Sequence, residues 1–191
     1  MIKSFYEIIK EDKDISTGIF SIRPKVLLSF IEEKYQLPVE AKLQIPSSQI
    51  GSLTMLEAMM IVTLMKIVNP KNIFEFGTYL GYSTNLLLTN SSFDTKVFSI
   101  DLGHNTSNVE YTKNASDKDL KSNDILNDNF LTLQQAEKGT HYLKSISKPE
   151  KDRLKLIIGD STEYSPAKDN LVNATDFIFI DGGHPYELVK K

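Results

Sequence analysis

The stretch Ile73-Phe74-Glu75-Phe76-Gly77-Thr78-Tyr79-Leu80-Gly81-Tyr82-Ser83-Thr84 decides the fold of this chain. An apolar run ends in an acid, two glycines four residues apart follow, and a Ser-Thr pair opens a new amphipathic run. This order predicts a strand, a tight turn and the start of a helix. Gly77 permits backbone angles or close approaches that a Cβ would forbid. Gly81 would let a ligand or the strand lie close to the helix N-terminus, whose N–H groups attract a carboxylate or phosphate.

Composition restricts the class of protein. The chain has 191 residues and a net charge of -3, so we expect one domain, or one domain with an N-terminal extension, and no nucleic acid or membrane as partner. It has no cysteine, which excludes a disulfide framework and a thiolate metal site. No stretch approaches the ~20 apolar residues of a membrane helix, and the N-terminus lacks the apolar core of a signal peptide. We therefore expect a soluble, cytoplasmic protein.

The first third of the chain is predicted to be helical. Residues 1 to about 50 are interpreted as an N-terminal helical extension or cap, with Pro24 in the first turn of a helix. A strongly apolar, Met-rich helix is predicted from about Leu53 to Val68. It is either an adaptable binding face or a core helix packed on a sheet, and we favour the core helix. Residues 51–191 would form the second, main domain.

Strands and helices then alternate. The predicted strands are Asn72–Phe76, Lys96–Ile100, Leu154–Ile158 and Phe177–Ile180, and the first crossover helix is Tyr82–Thr89. Short apolar runs without alternation are typical of parallel strands buried on both faces. Between the second and third strands we expect an insert at about 103–128, either a substrate lid or a solvated loop. A helical run follows, marked by Phe130, Leu131, Leu133, Ala136, Tyr142 and Leu143.

Four acids stand at the ends of the four predicted strands: Glu75, Asp101, Asp160 and Asp181. In a doubly wound sheet, ligands bind outside the carboxyl ends of the strands. Asp101 lies 20 residues past Gly81, where an acid can accept hydrogen bonds from both hydroxyls of a ribose. The alternative is that each acid only caps a turn, which is common for aspartate.

The spacing Glu-x-Gly-x-x-x-Gly differs from the dinucleotide fingerprint Gly-x-Gly-x-x-Gly. It resembles the first motif of class I S-adenosylmethionine-dependent methyltransferases, and the longer stretch looks like their small-molecule O-methyltransferases. The resemblance implies an α/β fold, a doubly wound, Rossmann-like, mostly parallel sheet with helices on both faces. It also implies that Asp101 binds the ribose, that Asp160 and Ser161 bind the adenine, and that Glu75 orients the glycine loop at Gly77. The methionine portion would be lined by Thr78, Gly81, Tyr82 and Ser83.

The segment Asp181-Gly182-Gly183-His184-Pro185-Tyr186-Glu187 resembles the Asp-Gly-x-His-x-Tyr-Glu motif of a methyltransferase subgroup. By this resemblance Asp181 faces the transferring methyl group and the acceptor. His184 is the candidate general base, because imidazole titrates near neutrality. It could instead ligate a divalent metal such as Mg²⁺ together with Asp181, as related enzymes use a metal to lower the pKa of the acceptor hydroxyl. The remaining alternative is that His184 only caps a helix that begins at Pro185.

The resembled family has seven strands, whereas four are predicted here. We therefore expect a C-terminally incomplete domain in which Phe177–Ile180 is an exposed apolar edge. The predicted function is transfer of a methyl group from S-adenosylmethionine to a small-molecule acceptor, at a hydroxyl oxygen. The alternatives are a nicotinamide-dependent Rossmann oxidoreductase and a non-catalytic S-adenosylmethionine-binding domain. In the resembled family the N-terminal region often covers the acceptor pocket or mediates dimerisation, so a homodimer is a further expectation.

Overall fold

A computed structural model of the chain describes residues 23–36, 39–47, 51–103 and 124–182. The helices are α1 Pro24–Tyr35, α2 Met55–Val68, α3 Tyr82–Asn90, α4 Asp124–Lys138 and α5 Lys148–Asp152, with 3₁₀ helices at His141–Ser145 and Pro166–Asp169. The strands are β1 Asn72–Phe76, β2 Lys96–Asp101, β3 Leu154–Ile158 and β4 Phe177–Ile180. The four predicted strands are thus confirmed.

All three strand pairs are parallel, and the sheet order is β3-β2-β1-β4. Phe76 at the end of β1 is level with Ile100 in β2 and with Ile180 in β4. Asp101 at the end of β2 is level with Ile158 in β3. The carboxyl ends of the strands therefore meet at one edge of the sheet. Within the described ranges β4 is an outer strand, as expected.

The larger core lies on one face of the sheet. There Ile73 and Val97 pack against α2, α3 and the first 3₁₀ helix. A capping box between Thr54 and Glu57 begins α2, because each residue's side chain satisfies the other's backbone N–H. The core-helix interpretation of α2 is confirmed for the face that carries Met65. Met55 and Met59 on the same helix are exposed.

The second face carries a smaller cluster, in which Phe74, Phe98 and Ile100 pack with Leu171. The outer strands are only partly covered on this side. Ile178 and Ile180 in β4 are 57% and 51% exposed. Burial on both faces, which the apolar runs of all four strands favoured, is confirmed for β1 and β2 and wrong for β3. For β4 the exposure agrees with the apolar edge expected at Phe177–Ile180. In the described sheet β3 and β4 are the outer strands, each paired on one side only. The cluster around Leu171 packs mainly on the two central strands, so it leaves the outer strands partly exposed.

Helix α1 packs on α2, and the segment 39–47 packs on α3. Helix α1 buries Leu27, Phe30 and Ile31 and contacts α2. In the segment, the backbone N–H of Lys42 donates to Asn90 Oδ1, and Asn90 Nδ2 donates back to the Lys42 carbonyl, both at 2.8 Å. The division of the chain at residue 50 stays a prediction.

The helical run predicted after the insert is two helices. Phe130, Leu131, Leu133 and Ala136 lie on α4, whereas Tyr142 and Leu143 lie on the 3₁₀ helix. The separation occurs at Gly139, whose φ of +60° ends α4 in the left-handed region. Residues 104–123 of the predicted insert lie outside the described residues. In the part of the chain that the structure describes, no helix is long and apolar enough to span a bilayer.

Candidate functional site

Gly77 follows β1, and its backbone lies next to the carboxyl ends of β2 and β4. Its φ is +96°, and its N–H donates to the Ile100 carbonyl at 2.9 Å. A Cβ at this position would lie 2.5 Å from the carbonyl oxygen of Asp181, which follows β4. The predicted need for glycine is confirmed, because both the backbone angle and the close approach exclude a side chain.

Tyr79 adopts a left-handed backbone without being a glycine. Its φ is +45°. Two hydrogen bonds to the Tyr79 backbone hold this conformation. Its N–H donates to Asp101 Oδ2 at 2.7 Å, and Gln135 Nε2 donates to its carbonyl at 3.2 Å. Its buried hydroxyl has no hydrogen-bond partner within the described ranges, and burial raises the pKa of that hydroxyl to about 12. Such strained residues often occur at ligand sites.

Gly81 is the N-cap of α3, with φ +83°. A Cβ there would lie 2.6 Å from Cγ of Leu143. The space that Gly81 leaves is therefore occupied by the side chain of Leu143. It is not occupied by the strand or left open for a ligand. The next residue, Tyr82, donates its hydroxyl to the Gln44 carbonyl at 3.0 Å and thereby ties α3 to the segment 39–47.

Glu75 is fully buried beneath the turn. Its Oε2 accepts hydrogen bonds from the hydroxyls of Thr84 and Ser99, and Ser99 Oγ in turn lies 2.6 Å from Thr78 Oγ1. Desolvation raises the pKa of the Glu75 carboxyl to about 7, and the charge of Asp181 adds to this. The hydroxyls of Ser83, Ser99 and Thr84 act in the opposite direction. Glu75 thus connects β1, β2, α3 and the end of β4 through one carboxyl group.

A cavity of about 550 Å³ opens above this turn, at the carboxyl edge of the sheet. Six of the residues predicted from sequence to bind a cofactor line it: Gly77, Thr78, Tyr82, Ser83, Asp101 and Asp181. Asp101 also accepts a hydrogen bond from Gly103 N–H at 3.1 Å, so its carboxylate organises the turns after both β1 and β2. The size is that of a small-molecule site.

Other predicted residues lie elsewhere. Asp160 and Ser161 are exposed and do not line the cavity. Asp160 Oδ1 accepts from Thr162 N–H at 2.8 Å and from Thr162 Oγ1 at 2.7 Å, which is the geometry of a turn-capping aspartate. Their assignment to the adenine stays a prediction. His184 lies outside the described residues.

Sequence reasoning missed one wall of the cavity, which belongs to α4. It consists of Asn127, Asp128, Leu131, Thr132 and Gln135, and we call it the α4 wall. A signal for it exists in the sequence, because Asn127, Leu131 and Gln135 recur every four residues and so share one helix face. The lining also includes Gly51, Ser52 and Leu53, which precede α2, and Glu57 in the first turn of α2.

A metal centre is not assembled by the residues that the structure describes. Among them, no group of three or more His, Asp or Glu side chains is arranged to hold a metal ion. Of the two ligands expected from sequence, Asp181 lies at the cavity and His184 is outside the described part.

Comparison with known proteins places these elements in a family. A family model described as "O-methyltransferase" matches residues 20–146, a range that begins before α1 and ends just after the first 3₁₀ helix. A search of curated proteins finds no match.

Two solved structures are similar to this chain. One is the O-methyltransferase from Bacillus cereus in complex with SAH, with 20% identity over 95% of this chain and 63% of that one, at a TM-score of 0.37. The other is a putative O-methyltransferase from Klebsiella pneumoniae, with 16% identity over 93% and 61%, at a TM-score of 0.39. The present chain thus spans less than two thirds of the length of either. Since the family model covers more than half of its residues, the chain belongs to the O-methyltransferase family.

Proposed function

We propose that this chain binds S-adenosylmethionine in the cavity at the carboxyl edge of the sheet and transfers its methyl group to a hydroxyl oxygen of a small-molecule acceptor. One observation carries the proposal. In a chain of the O-methyltransferase family, the glycine turn, the N-terminus of α3 and two strand-end carboxylates, Asp101 and Asp181, meet at one cavity of about 550 Å³.

The N-terminus of α3 suits the carboxylate of the methionine portion. Tyr82 and Ser83, the first residues of α3, line the cavity, and Gly81 precedes them as N-cap without a side-chain hydrogen bond. The first N–H groups of a helix have no partner inside it, and the helix dipole adds positive potential there. A carboxylate bound at this end would accept hydrogen bonds from these N–H groups and would be attracted by the positive potential.

Asp101 suits the ribose. Its carboxylate already accepts two hydrogen bonds within the chain, from Tyr79 N–H and from Gly103 N–H. A carboxylate has about four lone-pair sites, so two remain for the hydroxyls of a ribose. The turn after β1 and the cofactor would then share one carboxylate, which fixes the sugar relative to the glycine turn.

Asp181 suits the reacting end. When bound, S-adenosylmethionine supplies an electrophilic methyl group on a positively charged sulfur. Asp181 lines the cavity, and its backbone is held by a hydrogen bond from its N–H to the Phe76 carbonyl at 2.9 Å. A carboxylate carried by a backbone fixed in this way would orient the cationic end and the acceptor before reaction.

The acceptor hydroxyl must lose its proton during transfer. Asp181 is the candidate within the described residues, and His184 is the candidate in the segment after them. A divalent cation such as Mg²⁺ at Asp181 and His184 stays an expectation from sequence. The proposal further includes action in the cytoplasm, as a homodimer, without a nucleic acid partner.

Isothermal titration with S-adenosylmethionine, S-adenosylhomocysteine (SAH) and NAD tests the cofactor. We expect binding of the first two, and a loss of at least ~10-fold in affinity for Asp101→Asn, since charge-assisted hydrogen bonds to the ribose are lost. Asp152→Asn is the matched control, because Asp152 ends α5 just before β3, at the other end of the sheet. Binding of NAD without binding of SAH would favour the oxidoreductase alternative instead.

Methyl transfer is then tested with isotope-labelled S-adenosylmethionine and a panel of phenols and aliphatic alcohols. Methyl ethers are the expected products. SAH binding without transfer to any acceptor would support the non-catalytic alternative.

A further inference from the structure

Glu75 is a buried carboxyl group that the proposed function leaves unused. Its Oε2 accepts hydrogen bonds from Thr84 and Ser99, whereas its Oε1 has no hydrogen-bond partner within the described ranges. The charged form of a fully buried carboxyl is costly, and a bare oxygen adds to the cost because no donor replaces the water that it loses. Beneath an empty cavity, Glu75 therefore tends to keep its proton, in agreement with its raised pKa of about 7.

A chain of hydroxyl groups connects this carboxyl with the cavity. Ser99 Oγ lies 2.5 Å from Glu75 Oε2 and 2.6 Å from Thr78 Oγ1. Thr78 is one of the residues that line the cavity. Ser83 at the start of α3 also lines the cavity, and its hydroxyl bonds to the same carboxyl. The carboxyl thus lies one layer of side chains below the cavity.

The protonation state of Glu75 decides the direction of this chain, because each hydroxyl has one hydrogen to donate. Above an ionised carboxylate, Ser99 donates to Glu75 and Thr78 donates to Ser99. The lone pairs of Thr78 Oγ1 are then left to accept from a donor. Above a neutral acid protonated at Oε2, both hydrogen bonds reverse, and the hydrogen of Thr78 is left over instead. Either direction fits the distance between the two hydroxyls.

The charges around Glu75 oppose its ionisation until a cation arrives. Asp181, which follows β4, raises the pKa of Glu75 further, and Asp101 ends β2 at the same cavity. The side chains that meet Glu75 from β2 and α3 are hydroxyls. A positive charge within about 4–6 Å lowers the pKa of a carboxyl by about 1–3. The methionine portion of S-adenosylmethionine carries two such charges, on its ammonium group and on its sulfur.

We propose that Glu75 is a proton-linked positioning residue, which is neutral beneath the empty cavity and loses its proton through Ser99 and Thr78 when the cationic methionine portion binds. The inference rests on the proposed binding of S-adenosylmethionine and adds a pH-dependent regulation of the same site. Only O–H bonds change: Glu75 gives up one proton, each hydroxyl passes one on, and the buffer accepts the last. Thr78 Oγ1 is thereby turned into an acceptor for the ammonium group.

The number of protons released on binding is the direct test. It is measured by isothermal titration at about pH 6.5 in phosphate and in imidazole, two buffers with different heats of ionisation. We expect S-adenosylmethionine to release at least ~0.5 proton from the wild-type chain. The ligand does not contribute, because an α-amino group with a pKa near ~7.7–8.0 stays charged at this pH. Adenosine, which lacks both charges, should release none.

Cofactor affinity should rise with pH as a consequence. The complex holds the ionised form, so the pKa of Glu75 is lower in the complex than in the free chain. The Kd for S-adenosylmethionine should therefore fall at least ~5-fold from about pH 5.5 to 7.5. Glu75→Gln cannot ionise and should show neither the pH dependence nor the proton release. Asp152→Asn is the matched control, because it removes a carboxylate at the other end of the sheet and should keep both.

Two further variants test the chain itself. Ser99→Ala removes one of the hydroxyls that lower the pKa of Glu75, so the pH window should move to higher values even if Glu75→Gln does not fold. An unchanged window in Ser99→Ala would contradict the coupling. His184→Gln removes a second group that titrates in this range and should leave the proton count unchanged.

Failure of the inference is distinguishable from failure of the proposed function. Binding of S-adenosylmethionine without proton release would overturn the inference and leave the cofactor assignment standing. So would a release that persists in Glu75→Gln or disappears in His184→Gln. Absence of binding at every pH would instead overturn the cofactor assignment, and the coupling with it.

Discussion

Gly77 and Asp181 are in contact through their backbones, although 104 positions separate them. A Cβ on Gly77 would lie 2.5 Å from the Asp181 carbonyl oxygen and 2.8 Å from its carbonyl carbon. The turn after β1 and the end of β4 thus pack without any side chain between them. This contact brings the Asp181 carboxylate to the same cavity as the glycine turn.

Gly77→Ala should therefore be strongly destabilising. A non-glycine residue in the left-handed region costs roughly 1–2 kcal/mol, and forced overpacking costs about 1–3 kcal/mol more. Gly139→Ala is the matched control, since Gly139 has φ +60° but nothing within 4 Å of the added Cβ. Urea unfolding of both variants measures the difference. Equal losses for the two would mean that the backbone angle alone, and not the contact with Asp181, requires glycine at position 77.

Glu75 should make stability depend on pH in an unusual direction. The unfolded chain releases this proton near the ordinary pKa of 4.5, whereas the folded chain holds it up to about pH 7. Between these values the folded state binds more protons, so the free energy of unfolding falls as pH rises. Above about pH 7 both states are ionised, and the penalty is constant at about 3 kcal/mol.

Glu75→Gln cannot ionise. Its free energy of unfolding relative to wild type should rise by up to about 3 kcal/mol as pH increases from about 4.5 to 7.5, and then level off. Thr84→Val is the companion variant, because loss of that hydroxyl donor should raise the pKa of Glu75 further and extend the window to higher pH. Urea unfolding at several pH values measures both. A difference that does not change with pH would contradict the assignment.

The strands and the glycine turn could be predicted because their signals are local. The short run Ile73-Phe74-Glu75-Phe76, followed by Gly77, specifies a strand end and a turn without knowledge of the rest of the chain. The acids at Asp101 and Asp181 could be placed for the same reason, since parallel strands bring their carboxyl ends to one edge. Each inference needed only neighbouring residues and one topological rule.

The remaining features depend on contacts between distant residues. Tyr79 carries no sequence signal for a left-handed backbone, because the conformation is imposed by Asp101 and Gln135 from two other elements. The α4 wall lies at the cavity because Leu131 meets Gly51, which no local pattern indicates. The exposure of Ile178 follows from the position of β4 in the sheet, which the comparison with a seven-stranded family indicated and the apolar run itself did not.

Gly81 and Leu143 should be energetically coupled. Gly81→Ala combines a φ of +83° with a Cβ 2.6 Å from Leu143 Cγ, and Leu143→Ala removes a buried side chain at a cost of about 2–5 kcal/mol. In the double variant the steric part of the first change disappears. We expect the double variant to be at least ~1 kcal/mol more stable than the sum of the single losses predicts.

A double-mutant cycle by urea unfolding measures this coupling. Strict additivity would contradict the packing of Leu143 on Gly81. The coupling also bears on tests of the cofactor site: a bulky residue at position 81 would disturb Leu143, so a loss of ligand binding there would not identify a ligand contact.

Asn90 should hold the segment 39–47 on α3. Its amide accepts from Lys42 N–H and donates to the carbonyls of Lys42 and Leu86. Asn90→Leu leaves these backbone groups without their partner, at roughly 1–3 kcal/mol for each group that stays buried. Hydrogen exchange of the Lys42 amide should become faster. Ser145→Ala removes an exposed hydrogen bond from Gln44 of the same segment and should change stability by less than ~0.5 kcal/mol. Similar exchange rates in the two variants would contradict the role of Asn90.

Tyr79 and Tyr164 should respond oppositely to removal of the hydroxyl. The Tyr79 hydroxyl is buried without a partner in the described ranges, whereas Tyr164 donates to Asp169 Oδ2 at 2.7 Å. Tyr79→Phe removes an unsatisfied group, so the free energy of unfolding of the ligand-free chain should stay the same or rise by up to ~1 kcal/mol. Tyr164→Phe breaks a hydrogen bond and should lower it by about 0.5–1.5 kcal/mol. Urea unfolding of both variants measures this contrast. A loss above ~1 kcal/mol in Tyr79→Phe would show that its hydroxyl is paired in solution.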